Sequence, residues 1–222
     1  MMNFLKRILN PFKVSDNIVK EIDELKSKAE FLFVGLGNPG SRYAGNRHNI
    51  GWMVISRLIM NCRKEPAPYS PDYLLAPLRI EGKAVLAAMP TTFMNRSGRA
   101  VSSIAKAFSI PNDRIVAVLD EYNFPVGRLH LKLGGSDGGH NGISSITEHL
   151  GNDNFYRLRC GIDRNFGQGC MADYVLSDFE QDELNARNMM IENAVIALRH
   201  IVRVGTQRAM SDINSGKIFN PT

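Results

Sequence analysis

Residues 31–40 read FLFVGLGNPG, an apolar run rich in β-formers that ends in Gly-Asn-Pro-Gly. A strand buried on both faces and delivered into a tight loop has this signature. Working outward, Ile50, Val54, Ile55 and Leu58 carry helical spacing, and AVLAAMP (84–90) and IVAVLD (115–120) are two more buried-strand runs. Between them Val101, Ile104, Ala105 and Phe108 make a helix. RLHLKL (128–133) alternates strictly, with Leu129, Leu131 and Leu133 on one face and Arg128, His130 and Lys132 on the other. YRLRC (156–160) does the same and places Arg157 and Arg159 on its polar face. Ile143, Ile146 and Leu150 predict a short helix, and residues 180–205 a longer one. Strands alternating with helices imply a single α/β domain, with a mixed, largely parallel sheet flanked by helices.

The chain ahead of this run differs. Phe4, Leu5, Ile8, Leu9 and Phe12, then Ile18, Ile22 and Leu25, are spaced as an amphipathic helix that Pro11 breaks in two. Residues 1–30 therefore read as an N-terminal helical extension and 31–222 as the α/β domain. The extension holds six basic and five acidic residues, so it contributes +1 to a net charge of +5 and is no concentrated basic arm. Its role is packing or tethering, or contact with a partner or membrane surface.

The whole, 222 residues with 44% apolar and 22% charged, is within the size of one domain and excludes disordered, collagenous and disulfide-scaffold classes. Cys62, Cys160 and Cys170 are odd in number and form no CxxC pair, which predicts neither a disulfide framework nor a metal ribbon. No apolar run is long enough for an export signal or a membrane span, so a cytoplasmic location is expected.

Polar residues gather where open α/β sheets bind ligands, at the C-terminal ends of strands. Asn38 lies in the first loop, where its carboxamide either holds a substrate or serves a turn. His48 opens the next helix and is a general-base candidate. Asp120 closes IVAVLD, where a carboxylate can orient an imidazole or cap a turn. Asn95 follows another strand, as a site residue or a helix N-cap. Gly35 to Gly40 fits G-x-G-x-x-G, but Pro39 removes an amide and no acidic residue ends a second strand about twenty residues on, against a dinucleotide cofactor. Gly134 to Gly142, GGSDGGHNG, holds five glycines in nine residues and leads into a helix. Such a start attracts phosphate, with Lys132 and Arg159 as counter-charge.

GLGNPGSRYAGNRHNIGW (35–52), PTTFMNRSGRAV (90–101), LDEYNFPVGRLHLKLGG (119–135), GGHNGISSI (138–146) and NFYRLRCGID (154–163) together resemble the bacterial peptidyl-tRNA hydrolases. The resemblance spans about 31–215. It implies a monomeric enzyme that hydrolyses the ester between a peptide and the terminal ribose of tRNA, without metal or cofactor. By motif position His48 matches the catalytic histidine, Asp120 its orienting carboxylate, and Asn38, Asn95 and Asn141 the active-site asparagines. Tyr43, Phe93 and Met94 match cleft residues, and Lys132 and Arg159 the basic pair that holds a tRNA terminal phosphate. Two positions depart from the pattern: Asn123, where a second acidic residue is common, and Asp137 in the glycine loop. A rival of another class is an RNA-binding, splicing-factor-like protein of the same fold without hydrolysis.

Overall fold

The computed structural model describes residues 16–219. Its strands are β1 (Phe31–Gly35), β2 (Ala67–Ser70), β3 (Tyr73–Ile80), β4 (Lys83–Pro90), β5 (Ile115–Glu121), β6 (Leu129–Leu133) and β7 (Tyr156–Gly161). The α-helices are α1 (Asp16–Asp23), α2 (Ile50–Asn61), α3 (Ser97–Phe108), α4 (Asn141–Leu150), α5 (Met171–Val175), α6 (Leu184–Val204) and α7 (Thr206–Asn214). The strands form one sheet in the order β2-β3-β4-β1-β5-β7-β6. The central four, β4, β1, β5 and β7, run parallel, and β2, β3 and β6 join antiparallel at the flanks.

Alternation along β1 builds two cores, since successive side chains point to opposite faces. Phe31 and Phe33 face one layer with Val116, Val118 and Leu158, beneath α2 and α6. Leu32 and Val34 face the other with Ala117 and Leu119, beneath α3 and α4. Every β1 side chain is buried, as the unbroken apolar run predicts. Ile22 of α1 is fully buried in the second core, with Ile18 and Leu25 packed against it. The half of the extension from 16 onward is therefore a packing element; the helical spacing from Phe4 to Phe12 and its break at Pro11 lie outside the described residues.

The 67–80 hairpin lies outside the strands read from the sequence, and its Pro68, Pro71 and Pro77 are residues that strands ordinarily exclude. The sheet tolerates them at its margin: β2 is four residues long and pairs only with Tyr73 to Leu75, leaving Pro77 past its end. At the opposite margin the Asn214 side chain bonds both the N–H and the C=O of Leu131, at 2.8 and 2.9 Å, on the side of β6 away from β7.

β1 meets α2 backbone to backbone. A Cβ on Gly51 would lie 2.2 Å from the Val118 carbonyl oxygen, and one on Gly35 would lie 2.4 Å from that of Gly51. Only glycine permits this approach. It seats the start of α2, and the turn before it, directly on the ends of β1 and β5.

Candidate active site

β1 ends at Gly35, β4 at Pro90 and β5 at Glu121, and the chain reverses its direction of growth across β1, the topological position where such sheets bind ligands. A cleft of about 750 Å³ opens there. It is lined by His48, Asp120, Asn38, Phe93, Met94, Asn95 and Asn141 from the sequence reading, together with Lys132 and Arg159. Tyr43 does not line it; it sits in the turn Ser41–Tyr43 with its hydroxyl and ring against Arg42.

Asn38 is fixed from three directions. Its N–H donates to Asn49 Oδ1 and its C=O accepts from Asn49 Nδ2, both at 2.9 Å. Its side-chain Oδ1 accepts from the Met94 N–H at 2.8 Å. Because the Met94 amide can only donate, the oxygen of the carboxamide must point at it, which turns the NH₂ end toward the cleft. The amides that a dinucleotide would need are occupied in the same loop, with Leu36 N–H donated to the Val118 carbonyl and Asn38 N–H to Asn49. The Gly-rich fingerprint is a packing motif here.

His48 lies in the turn Arg47–Asn49 and its Nδ1 is 2.8 Å from Asp120 Oδ1. Sequence reading missed a second imidazole on the same oxygen: His140 Nε2 lies 3.0 Å from Asp120 Oδ1. His140 Nδ1 accepts the Gly142 and Ile143 amides at the start of α4. Those amides are obligate donors, so Nδ1 of His140 is unprotonated and its proton sits on Nε2, given to Asp120. Burial alone would raise the Asp120 carboxyl, but the electrostatic attraction and hydrogen bonds of both imidazoles hold it well below the usual carboxylate range. An ionised Asp120 then accepts a hydrogen bond from the Nδ1–H of His48, which leaves His48 Nε2 as a lone pair in the cleft. Burial pulls the His48 pKa down, yet the charge and hydrogen bond of Asp120 outweigh it and set the group above its ordinary value.

His48, Asp120 and His140 are close enough to suggest a metal ligand set. The hydrogen bonding argues otherwise, since His140 uses both nitrogens and His48 one, so a single lone pair remains among the two rings. This arrangement handles one proton.

The charged end departs from expectation. His140 closes the α4 N-terminus to which a phosphate was expected to bind, because its ring takes the first free amides. Arg157 is buried, not part of an open polar face: it donates to the carbonyls of Gly135 and Ser136 at 2.7 and 2.6 Å and holds the glycine loop. Gly134, Gly135, Gly138 and Gly139 in that loop have φ of 60, 96, 61 and 80°, and Asp137 accepts the Gly139 amide at 2.8 Å. Arg159 pairs with Glu121 at 2.9 Å and donates to His130 Nδ1 at 3.2 Å. Burial and the cations Arg159, Arg128 and Lys132 lower the His130 pKa, which keeps that ring a neutral acceptor. Asn123 donates from both its backbone and its side chain to Glu121. Asn95 is exposed and does not cap α3, whose capping position is Arg96.

The facing wall comes from α5 and the residue after it: Met171, Ala172, Val175 and Leu176. No motif announced it.

A sequence profile described as peptidyl-tRNA hydrolase matches residues 32–221. A peptidyl-tRNA hydrolase of Syntrophotalea carbinolica is 38% identical over 184 residues, 83% of this chain and 96% of that one. A counterpart from Azorhizobium caulinodans is 44% identical over 153 residues, 69% of this chain and 74% of that one. The crystal structure of peptidyl-tRNA hydrolase from Acinetobacter baumannii superposes with a TM-score of 0.79 at 34% identity, covering 85% of this chain and 96% of that one. Profile, relatives and fold agree over nearly all the described residues, and the chain belongs to the peptidyl-tRNA hydrolase family.

Proposed function

We propose that the protein hydrolyses the ester between a peptide and the terminal ribose of tRNA, with water activated by His48. The observation that carries this is the one free imidazole lone pair, His48 Nε2, in a cleft where Nδ1 is held by an ionised Asp120. Nε2 removes a proton from water as it attacks the ester carbonyl, and Asp120 stabilises the imidazolium that forms. The NH₂ of Asn38, aimed at the cleft by the Met94 amide, donates to the oxyanion. On collapse the ribose oxygen leaves with the proton from Nε2, so an ester needs no nucleophilic Ser or Cys. His140 fixes Asp120 from the far side.

Asn95 and Asn141 bind the peptide backbone, while Phe93, Met94 and the α5 wall accept varied apolar side chains. Lys132 and Arg159 hold the terminal phosphate, for which Arg159 exchanges Glu121. No described helix is long and apolar enough to cross a membrane, and the protein acts in the cytoplasm as a monomer. A binding protein without hydrolysis would have no use for a buried carboxylate that holds a histidine ready as a base.

The test is release of labelled peptide from N-acetyl-aminoacyl-tRNA by wild type and His48→Ala. Loss of turnover with retained tRNA binding is expected. Near wild-type turnover refutes the scheme.

A further inference from the structure

α5 forms one wall of the cleft yet has no buried residue of its own. Only Tyr174 and Val175, both half-buried, touch the edge of the core, so the position of this five-residue helix depends on what else ties it down. Two ties lead to the residues just before His48. Asn46 donates its side chain to the Leu176 carbonyl and forms a β-bridge with Asp178. Arg47 donates its backbone N–H to the Ser177 carbonyl at 2.9 Å.

The Arg47 side chain is the stronger tie. It is 2% exposed, and its two terminal nitrogens meet the two carboxylate oxygens of Glu183 at 2.9 and 2.7 Å. Its guanidinium lies over the rings of Tyr174 and Phe179, with 4.5 and 4.9 Å from Cζ to the centroids. Tyr174 belongs to α5, and its hydroxyl donates to the Ile162 carbonyl at 2.7 Å. One buried cation thus gathers the His48 turn, the α5 wall and the residue ahead of α6. A buried charge is costly to desolvate, and an apolar side chain would fill the same space between two rings. The planar, bidentate geometry sets orientation as well as contact.

We infer that Arg47, with Glu183, is a positioning residue that fixes the apolar α5 wall relative to the neighbouring His48, and so sets preference for the side chain carried next to the ester. This rests on the reading of the cleft given under Proposed function. Lysine cannot reproduce the fork or the stacking, so Arg47→Lys loosens the wall while leaving the His48–Asp120 contact in place.

The experiment compares kcat/KM for N-acetyl-phenylalanyl-tRNA and N-acetyl-glycyl-tRNA in wild type, Arg47→Lys and Glu183→Gln. Wild type is expected to favour the large apolar side chain. Both variants are expected to narrow that ratio roughly tenfold, the scale of a displaced apolar contact, with the acid limb of the pH profile unmoved. General destabilisation would instead lower both substrates together. A wild type without the preference, or a ratio that survives in the variants, overturns the inference. Should Arg47→Lys fail to fold, Glu183→Gln, altered at a partly exposed position ahead of α6, decides alone. His48→Ala measured alongside separates the two readings: if it is inactive while the ratio survives, only the positioning role falls, and if it is active, both fall.

Discussion

Replacing Asp120 by Asn tests the shared-oxygen geometry directly. Both imidazoles donate to Oδ1, at 2.8 and 3.0 Å. An asparagine that places its carbonyl oxygen there keeps both hydrogen bonds and both tautomers, so the variant removes only the charge. With charge centres roughly 4 Å apart and an effective dielectric near 20, the lost attraction for the imidazolium is about 4 kcal/mol. Each ~1.4 kcal/mol is a factor of ten, so kcat should fall about a thousandfold. The pH profile moves as well. The base works when neutral, so wild-type activity rises with pH through a His48 pKa held above its ordinary 6.5 by Asp120. In Asp120→Asn only burial remains, and the acid limb shifts below that value. Single-turnover hydrolysis of N-acetyl-aminoacyl-tRNA between pH 5 and 9 measures both effects. A loss under tenfold, or an acid limb that fails to move down, refutes the argument; a loss near 10⁴ places the amide nitrogen where the oxygen should be and sinks the shared-oxygen account.

Asn38→Asp keeps an acceptor for the Met94 amide but removes the cleft-facing donor, so kcat should drop by about 10²–10³ with the melting temperature little changed; an active variant would exclude Asn38 from the oxyanion. Because phosphate contacts release counterions, log(kcat/KM) should fall linearly with log salt, and Lys132→Gln should reduce the slope by about one. An unchanged slope would remove Lys132 from the tRNA contact.

The fold was legible where burial and periodicity coincide. FLFVGL and IVAVL are apolar throughout because β1 and β5 are covered on both faces, and RLHLKL alternates because β6 is covered on one. Local pattern carries this information. The β2–β3 hairpin was not legible, since its prolines are acceptable only at a sheet margin that the sequence does not announce. α5 was hidden for the opposite reason: with no buried face it has no apolar period. The cleft that gathers His48, Asp120 and Asn38 could be anticipated because Asp120 lies at the end of a strand, Asn38 in the loop after one, and His48 at the start of a helix. His140 was passed over in a stretch read only for its glycines, although a side chain just before a helix is a candidate for its first amides. Arg157 read as a solvated cation because the carbonyls it binds belong to residues 21 and 22 positions away. Arg47 and Glu183 are 136 positions apart, and no spacing rule joins them. The two unusual residues prove local: Asn123 braces Glu121, and Asp137 holds a glycine amide.

The Asn214 carboxamide on Leu131 bears on what a substrate is allowed to do. A released nascent peptide is an extended chain, and the open margin of a sheet is a template that any extended chain can join. β6 lies beside the cleft and contributes Lys132 to it. By occupying the outward N–H and C=O of Leu131, Asn214 withholds the central pair of backbone groups that a peptide adding itself as an eighth strand would use. The edge strand beside the cleft is thereby closed at its middle residue to sequence-blind pairing.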